Sequence, residues 1–330
     1  MLSSRRIQPA STPFRPDEVY RVPTQDGAAV ALGRYHPRVP RRFVEPVILC
    51  HGLGNNRHAL DLDERHSLAR HLARAGFEAW VLELRGRGLA GPPLEATFDD
   101  QVLYDVATAI ETVRSTGSKE VLWVGHSKGG LLVYAHLARF GSAPIRAAVT
   151  IGSPFTFALQ PGLKLFVRRV APLLTRAFLP TAQLGRLAPL GLPPGPITRY
   201  LVHETNLEVE IAKHALASIA ADIPGGVARQ FARWVRNGTF DGDDGFDYRN
   251  LAHVKVPFLL IAGTHDLLAT PLAVARAREA LGGPVKLVMA GSAHGFRGDY
   301  GHGDLLFGRH APDEIYPVVE SFLSAQAQPV

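Results

Sequence analysis

The chain has 330 residues, 46% hydrophobic and 20% charged, with a formal net charge of +6. These values describe a soluble globular protein able to bury a substantial core. The basic residues, mostly arginine, are scattered, which predicts a solvated basic surface, with weak attraction to anionic lipid as the sharper alternative. No basic run with interleaved aromatics marks a nucleic-acid site, so no nucleic-acid partner is expected.

Residues 1–17 read as a loose, Ser/Pro-containing leader. No apolar segment follows Arg5 and Arg6, so no secretory signal is expected. Tyr20 to Tyr35 contains the turn signal Gln25-Asp26-Gly27 between two strand-like pieces. Pro46-Val47-Ile48-Leu49-Cys50 reads as a short buried parallel strand. Cys50, the sole cysteine, excludes an intramolecular disulfide and fits a reducing compartment. His66 to Ala75 has helical spacing, and Glu78 to Leu84 is the next strand. Asp99 to Val113 carries the helical stripe Val102, Val106, Ala109 and Ile110. Strand Val121–Val124, a helix from Gly130 and strand Ile145–Ile151 follow.

The rhythm breaks at Gly152-Ser153-Pro154 and resumes at Val256. Between them the chain is Leu-, Pro- and Arg-rich, with helical patterns at Leu207–Ala221 and Val227–Val235. The expected architecture is an α/β fold with a mostly parallel sheet covered by helices on both faces. Its core is 18–153 and 251–330, and 154–250 is an inserted helical cap. The apolar segment Leu163 to Leu179 reads as a lid, packed on the core or lining an acyl-chain pocket, and allows weak contact with a membrane surface. No run of 18 apolar residues reads as a membrane span, and a cytoplasmic location is the expectation.

Gly125-His126-Ser127-Lys128-Gly129 has the G-x-S-x-G pattern between a strand and a helix, which makes Ser127 a candidate nucleophile. A hydroxyl needs a base to take its proton, and the base needs an acid to fix its tautomer. Asp266, just past the strand ending at Ala262, is the candidate acid. Two histidines follow the last strand, His294 and His302, at 28 and 36 residues beyond Asp266. Spacing alone prefers His294. No metal or organic cofactor is implied.

On these motifs the chain resembles the α/β hydrolase superfamily over roughly 20–153 and 250–326. Within it, the likeness is to the acid (gastric and lysosomal type) lipase branch. Cys50-His51-Gly52-Leu53 resembles that branch's oxyanion segment, and Asp266 to Pro271 its acid loop. His302-Gly303-Asp304-Leu305 is similar to its H-x-D-hydrophobic motif, whose histidine is the base. The resemblance therefore implies His302 as base and His294 as a loop residue. About seven extra residues, around Ser292 to Gly298, separate strand and motif here. The resemblance also implies oxyanion donors at the backbone N–H groups of Leu53 and Lys128. The expected function is a serine hydrolase acting on a small-molecule or lipid carboxylic ester with an apolar acyl group, through an acyl-enzyme. The alternatives are an acyltransferase or polyester-related enzyme with the same triad, and a non-catalytic binding protein on this fold. The polyester synthases carry Cys at the elbow, which argues against the first.

Overall fold

The computed structural model describes residues 5–7, 16–92, 94–142, 144–157, 200 and 202–330. β1 (Arg5–Ile7) lies in the segment expected to be a loose leader. It pairs antiparallel with β2 (Glu18–Pro23), whose outer edge would otherwise present unpaired N–H and C=O groups. β2 folds back on β3 (Ala29–Tyr35) through the Gln25-Asp26-Gly27 turn. The apolar runs then form β4 (Val47–Cys50), β5 (Ala79–Glu83), β6 (Val121–His126), β7 (Ile145–Ile151), β8 (Phe258–Gly263) and β9 (Val285–Ala290). Together the described strands make one sheet in the order β1-β2-β3-β5-β4-β6-β7-β8-β9, parallel from β5 onward.

Side chains alternate across each strand, so one run feeds two cores. Ile48 and Cys50 enter one, and Val47 and Leu49 the other. Both faces are buried, which is why these strands are apolar throughout. α1 (Leu68–Arg74), capped by the Ser67 hydroxyl, covers the Leu49 face. α2 (98–114) and α3 (Lys128–Phe140) cover the Ile48 face. Between β7 and β8 the sheet is interrupted by an inserted helical region. Its described part includes α4 (Val209–Ile219) and α5 (Gly225–Asn237). Trp234 of α5 meets Phe98 edge-on at 4.9 Å and joins the same core. α6 (Ala311–Gln326) packs beside α1. The expected lid segment Leu163 to Leu179 lies outside the described residues. No described helix is long and apolar enough to cross a membrane.

α2 departs from the regular helix expected there. A capping box joins Thr97 and Asp100, and the next stretch, Gln101–Val106, is π-helical. This wide turn carries the fully buried Gln101 and Asp105. Asp105 accepts from the Arg85 Nε at 2.7 Å and from the Arg85 backbone N–H at 3.1 Å. The far end of the same guanidinium bonds Asp26 in the β2–β3 turn. One buried arginine thus ties the hairpin, the end of β5 and α2 together. Burial pushes the Asp105 carboxyl up to about 6, with Arg85 opposing.

Arg85→Met should cost about 3–5 kcal/mol at pH 8, because it strands a buried carboxylate. The loss should shrink at pH 5, where Asp105 holds a proton. Urea unfolding at both pH values checks this, and equal losses would contradict it.

Candidate active site

β6 enters α3 through a turn too tight for ordinary side chains. A Cβ on Gly125 would meet the Gly129 carbonyl, and one on Gly129 would meet the Cys50 carbonyl at the end of β4. At the apex Ser127 has φ 52° and ψ −117°, the only positive φ at a non-glycine among the described residues. Such a conformation costs free energy and persists only when its surroundings enforce it. Here the enforcing contacts are the helix start and the Ser127 N–H bond to Ile151 O at 2.8 Å.

His302 lies 2.9 Å from the Ser127 Oγ through Nε2, and 2.7 Å from Asp266 Oδ2 through Nδ1. A carboxylate only accepts, so Nδ1 carries the proton, and Nε2 is left to accept from the Ser127 hydroxyl. The other Asp266 oxygen accepts the N–H groups of Leu268 and Ala269, at 2.9 and 2.8 Å. Asp266 is 1% exposed and His302 9%. Burial opposes charge on His302, but the Asp266 charge and hydrogen bond, with Asp304 adding, outweigh it and leave the imidazole pKa raised. Gly152, at φ 55°, backs this pair: a Cβ there would come 3.3 Å from both Asp266 Oδ2 and His302 Nδ1.

His294 takes a different place. It is exposed on a single 3-10 turn, Ser292–His294, and neither Ser127 nor Asp266 has it as a hydrogen-bond partner among the described residues. His126 donates through Nε2 to the His302 carbonyl at 3.1 Å. Burial and the His302 charge push its pKa down to about 3, so it stays neutral.

The Gly52–Gly54 turn passes directly over the candidate nucleophile, since a Cβ on Gly52 would come 3.1 Å from the Ser127 Cβ. The Lys128 N–H is one of the orphan donors at the start of α3. Neither this N–H nor that of Leu53 has an acceptor among the described residues. The Lys128 side chain turns inward to the Gln101 Oε1 at 2.7 Å, fully buried. Burial first, then the Arg87 charge, holds its amine pKa well below the ordinary lysine range. Among the described residues, no group of three or more His, Cys, Asp or Glu side chains could hold a metal ion.

The family model described as the alpha/beta hydrolase fold matches residues 45–297, more than half of the chain. The chain belongs to that family. A tear acid lipase-like protein of Mesocricetus auratus is 31% identical over 131 residues, covering 35% of this chain and 33% of that protein. The match thus spans about a third of that relative's length. The gastric triacylglycerol lipase of Bos taurus is 25% identical, over 93% of this chain and 84% of that one. A thermophilic esterase from Thermogutta terrifontis superposes with a TM-score of 0.64 at 18% identity, covering 99% and 100% of the two chains. At that identity the likeness is one of fold.

This hydrolase-fold chain also uses residues that the sequence reading passed over. Asp304, fully buried, accepts from the N–H of Gly301 at 2.9 Å, the N–H of His203 at 3.0 Å and the Asn206 Nδ2 at 3.2 Å. It therefore fastens the His302 loop to the stretch of the inserted region that precedes α4. Its signal was the third position of the H-x-D motif, where only the histidine had been given a role.

His302 should titrate above the ordinary ~6.5 of imidazole. In Asp266→Asn the larger raising charge is gone, burial is opposed by the Asp304 charge alone, and the value should fall. Histidine NMR titration, assigned by difference against His302→Gln, checks the sign. An unchanged value in Asp266→Asn would contradict it.

Proposed function

We propose that this α/β hydrolase-fold enzyme is a serine hydrolase that cleaves carboxylic esters with an apolar acyl group. The observation that carries the reading is the unbroken chain from Ser127 Oγ to His302 at 2.9 Å and on to Asp266 at 2.7 Å. Ser127 attacks the ester carbonyl while His302 Nε2 takes its proton. Asp266 holds the Nδ1–H and stabilises the imidazolium. The N–H groups of Leu53 and Lys128 receive the charge that develops on the carbonyl oxygen. His302 then returns the proton to the departing alcohol. Water, deprotonated by the same imidazole, releases the acid from the acyl-enzyme.

Within the family we assign the chain to the acid lipase branch. The H-x-D motif at His302 and the names of the relatives, lipases of the tear and gastric kinds, support this. Residues 154–250 then form the lid of a core made of 18–153 and 251–330, and the substrate is a small-molecule or lipid ester. The Ser127 hydroxyl at the elbow favours this over polyester synthesis, and its engagement by His302 favours it over a non-catalytic binding role.

Hydrolysis of p-nitrophenyl esters from acetate to palmitate tests the reading. Ser127→Ala and His302→Ala should each lower kcat by about 10⁶, the scale for losing one member of such a unit. His294→Ala should keep most of the activity. Equal rates for Ser127→Ala and wild type, or loss on His294→Ala with retention on His302→Ala, would overturn it.

A further inference from the structure

Arg87 is 4% exposed, and its guanidinium carries only one hydrogen bond among the described residues. Nη1 donates to the Asn55 carbonyl at 2.6 Å, while Nε and Nη2 are buried without a partner. A guanidinium stays charged in proteins, and burying one so sparsely bonded is costly. The Glu83 and Asp105 charges favour the cation, and its one hydrogen bond shows where the guanidinium is aimed. Asn55 lies two residues beyond Leu53, on the turn that passes over Ser127.

Three carbonyls along that stretch, those of Gly52, Gly54 and Asn55, are held. His51 Nδ1 donates to the Gly52 carbonyl at 3.0 Å. The Ala221 N–H donates to the Gly54 carbonyl at 2.8 Å, and Arg87 takes Asn55. In a trans peptide the carbonyl of one residue and the N–H of the next point in opposite directions. Anchoring the Gly52 carbonyl thus aims the Leu53 N–H the other way. Downstream, the Gly54 carbonyl and Asn56 are held by the inserted region, and Arg87 supplies the hold that comes from the sheet side, from the loop after β5.

We propose that Arg87 is a positioning residue for the oxyanion turn: by holding the Asn55 carbonyl it keeps the Leu53 N–H fixed over Ser127. The proposal rests on the serine-hydrolase reading above. It makes Arg87 act on the transition state, where charge sits on the carbonyl oxygen, rather than on substrate binding or on His302.

The test uses the full chain with Arg87→Met and Arg87→Lys. Active sites are counted by titration with a p-nitrophenyl organophosphate, so that misfolded protein does not enter the rate. Per titrated site, Arg87→Met should lose about 10- to 100-fold in kcat, less than deleting an oxyanion donor outright. KM should change little. Arg87→Lys, which keeps charge and a donor, should recover part of the loss. The inhibition constant of a trifluoromethyl ketone, which forms the tetrahedral oxyanion adduct, should rise by the factor lost in kcat/KM. The acid limb of the pH profile should not move. Full kcat per site in Arg87→Met, a change confined to KM, or a shifted acid limb would overturn the assignment. If Arg87→Met does not fold, Arg87→Lys at wild-type kcat and ketone affinity would overturn it equally. A wild type that neither titrates nor turns over would overturn the serine-hydrolase reading itself.

Discussion

The site depends on the packing of the first turn of α3 against the end of β4, where Gly129 meets the Cys50 carbonyl with no room for a side chain. That contact fixes how the chain leaves β6, and so fixes the backbone of Ser127 at φ 52°. A strained apex is stable only when both flanking elements are rigid. The sheet supplies one, with β6 paired to β4 and β7 on its two sides. α3, buried from Lys128 to Ala138, supplies the other. The two cores on either side of the sheet can therefore be regarded as the mounting for one residue.

The remaining members of the site come from the ends of neighbouring strands, brought together by the parallel arrangement. The proposed oxyanion turn follows β4, Asp266 follows β8 and His302 follows β9. Two of these three are also joined to the inserted region. Asn55 bridges Ala220, and Asn56 bonds the carbonyls of Ile219 and Ser218 at the end of α4. Asp304 joins the His302 loop to His203 and Asn206, just before α4. The insert thus touches the proposed machinery at both the oxyanion turn and the base loop. A displacement of α4 would be felt at the turn, because a backbone bond and the Asn56 side chain both join the two.

Much of the frame was legible because buried parallel strands leave an unmistakable trace: runs such as Val47–Cys50 are apolar without alternation. The elbow was legible for a related reason, since only glycine fits at 125 and 129. The choice between His294 and His302 was not legible from spacing. Spacing counts residues, whereas reach depends on path. The chain leaves β9, makes the exposed excursion carrying His294, and returns where the Tyr300 N–H bonds the Ala290 carbonyl at 3.4 Å. The H-x-D resemblance pointed to His302, and it is His302 that meets both Ser127 and Asp266. Other features had no local signature. The stripe Val102, Val106, Ala109, Ile110 reads the same in an α-helix and in the observed π-helical stretch. Nothing local marks Lys128 as buried, yet its side chain is fully buried against Gln101, a partner 27 positions away. Arg5–Ile7 is too short and too polar to announce an edge strand, and its pairing comes from the open edge of β2.

The central claim is that Ser127 forms a covalent acyl intermediate with the help of His302. The most direct measurement is peptide mass spectrometry of enzyme quenched in acid during turnover of p-nitrophenyl butyrate. The account predicts one butyryl mass on the peptide containing Ser127, and none when His302→Ala is treated identically. An adduct on another residue, or turnover with no adduct at any quench time in an enzyme shown to release acid slowly, would contradict it.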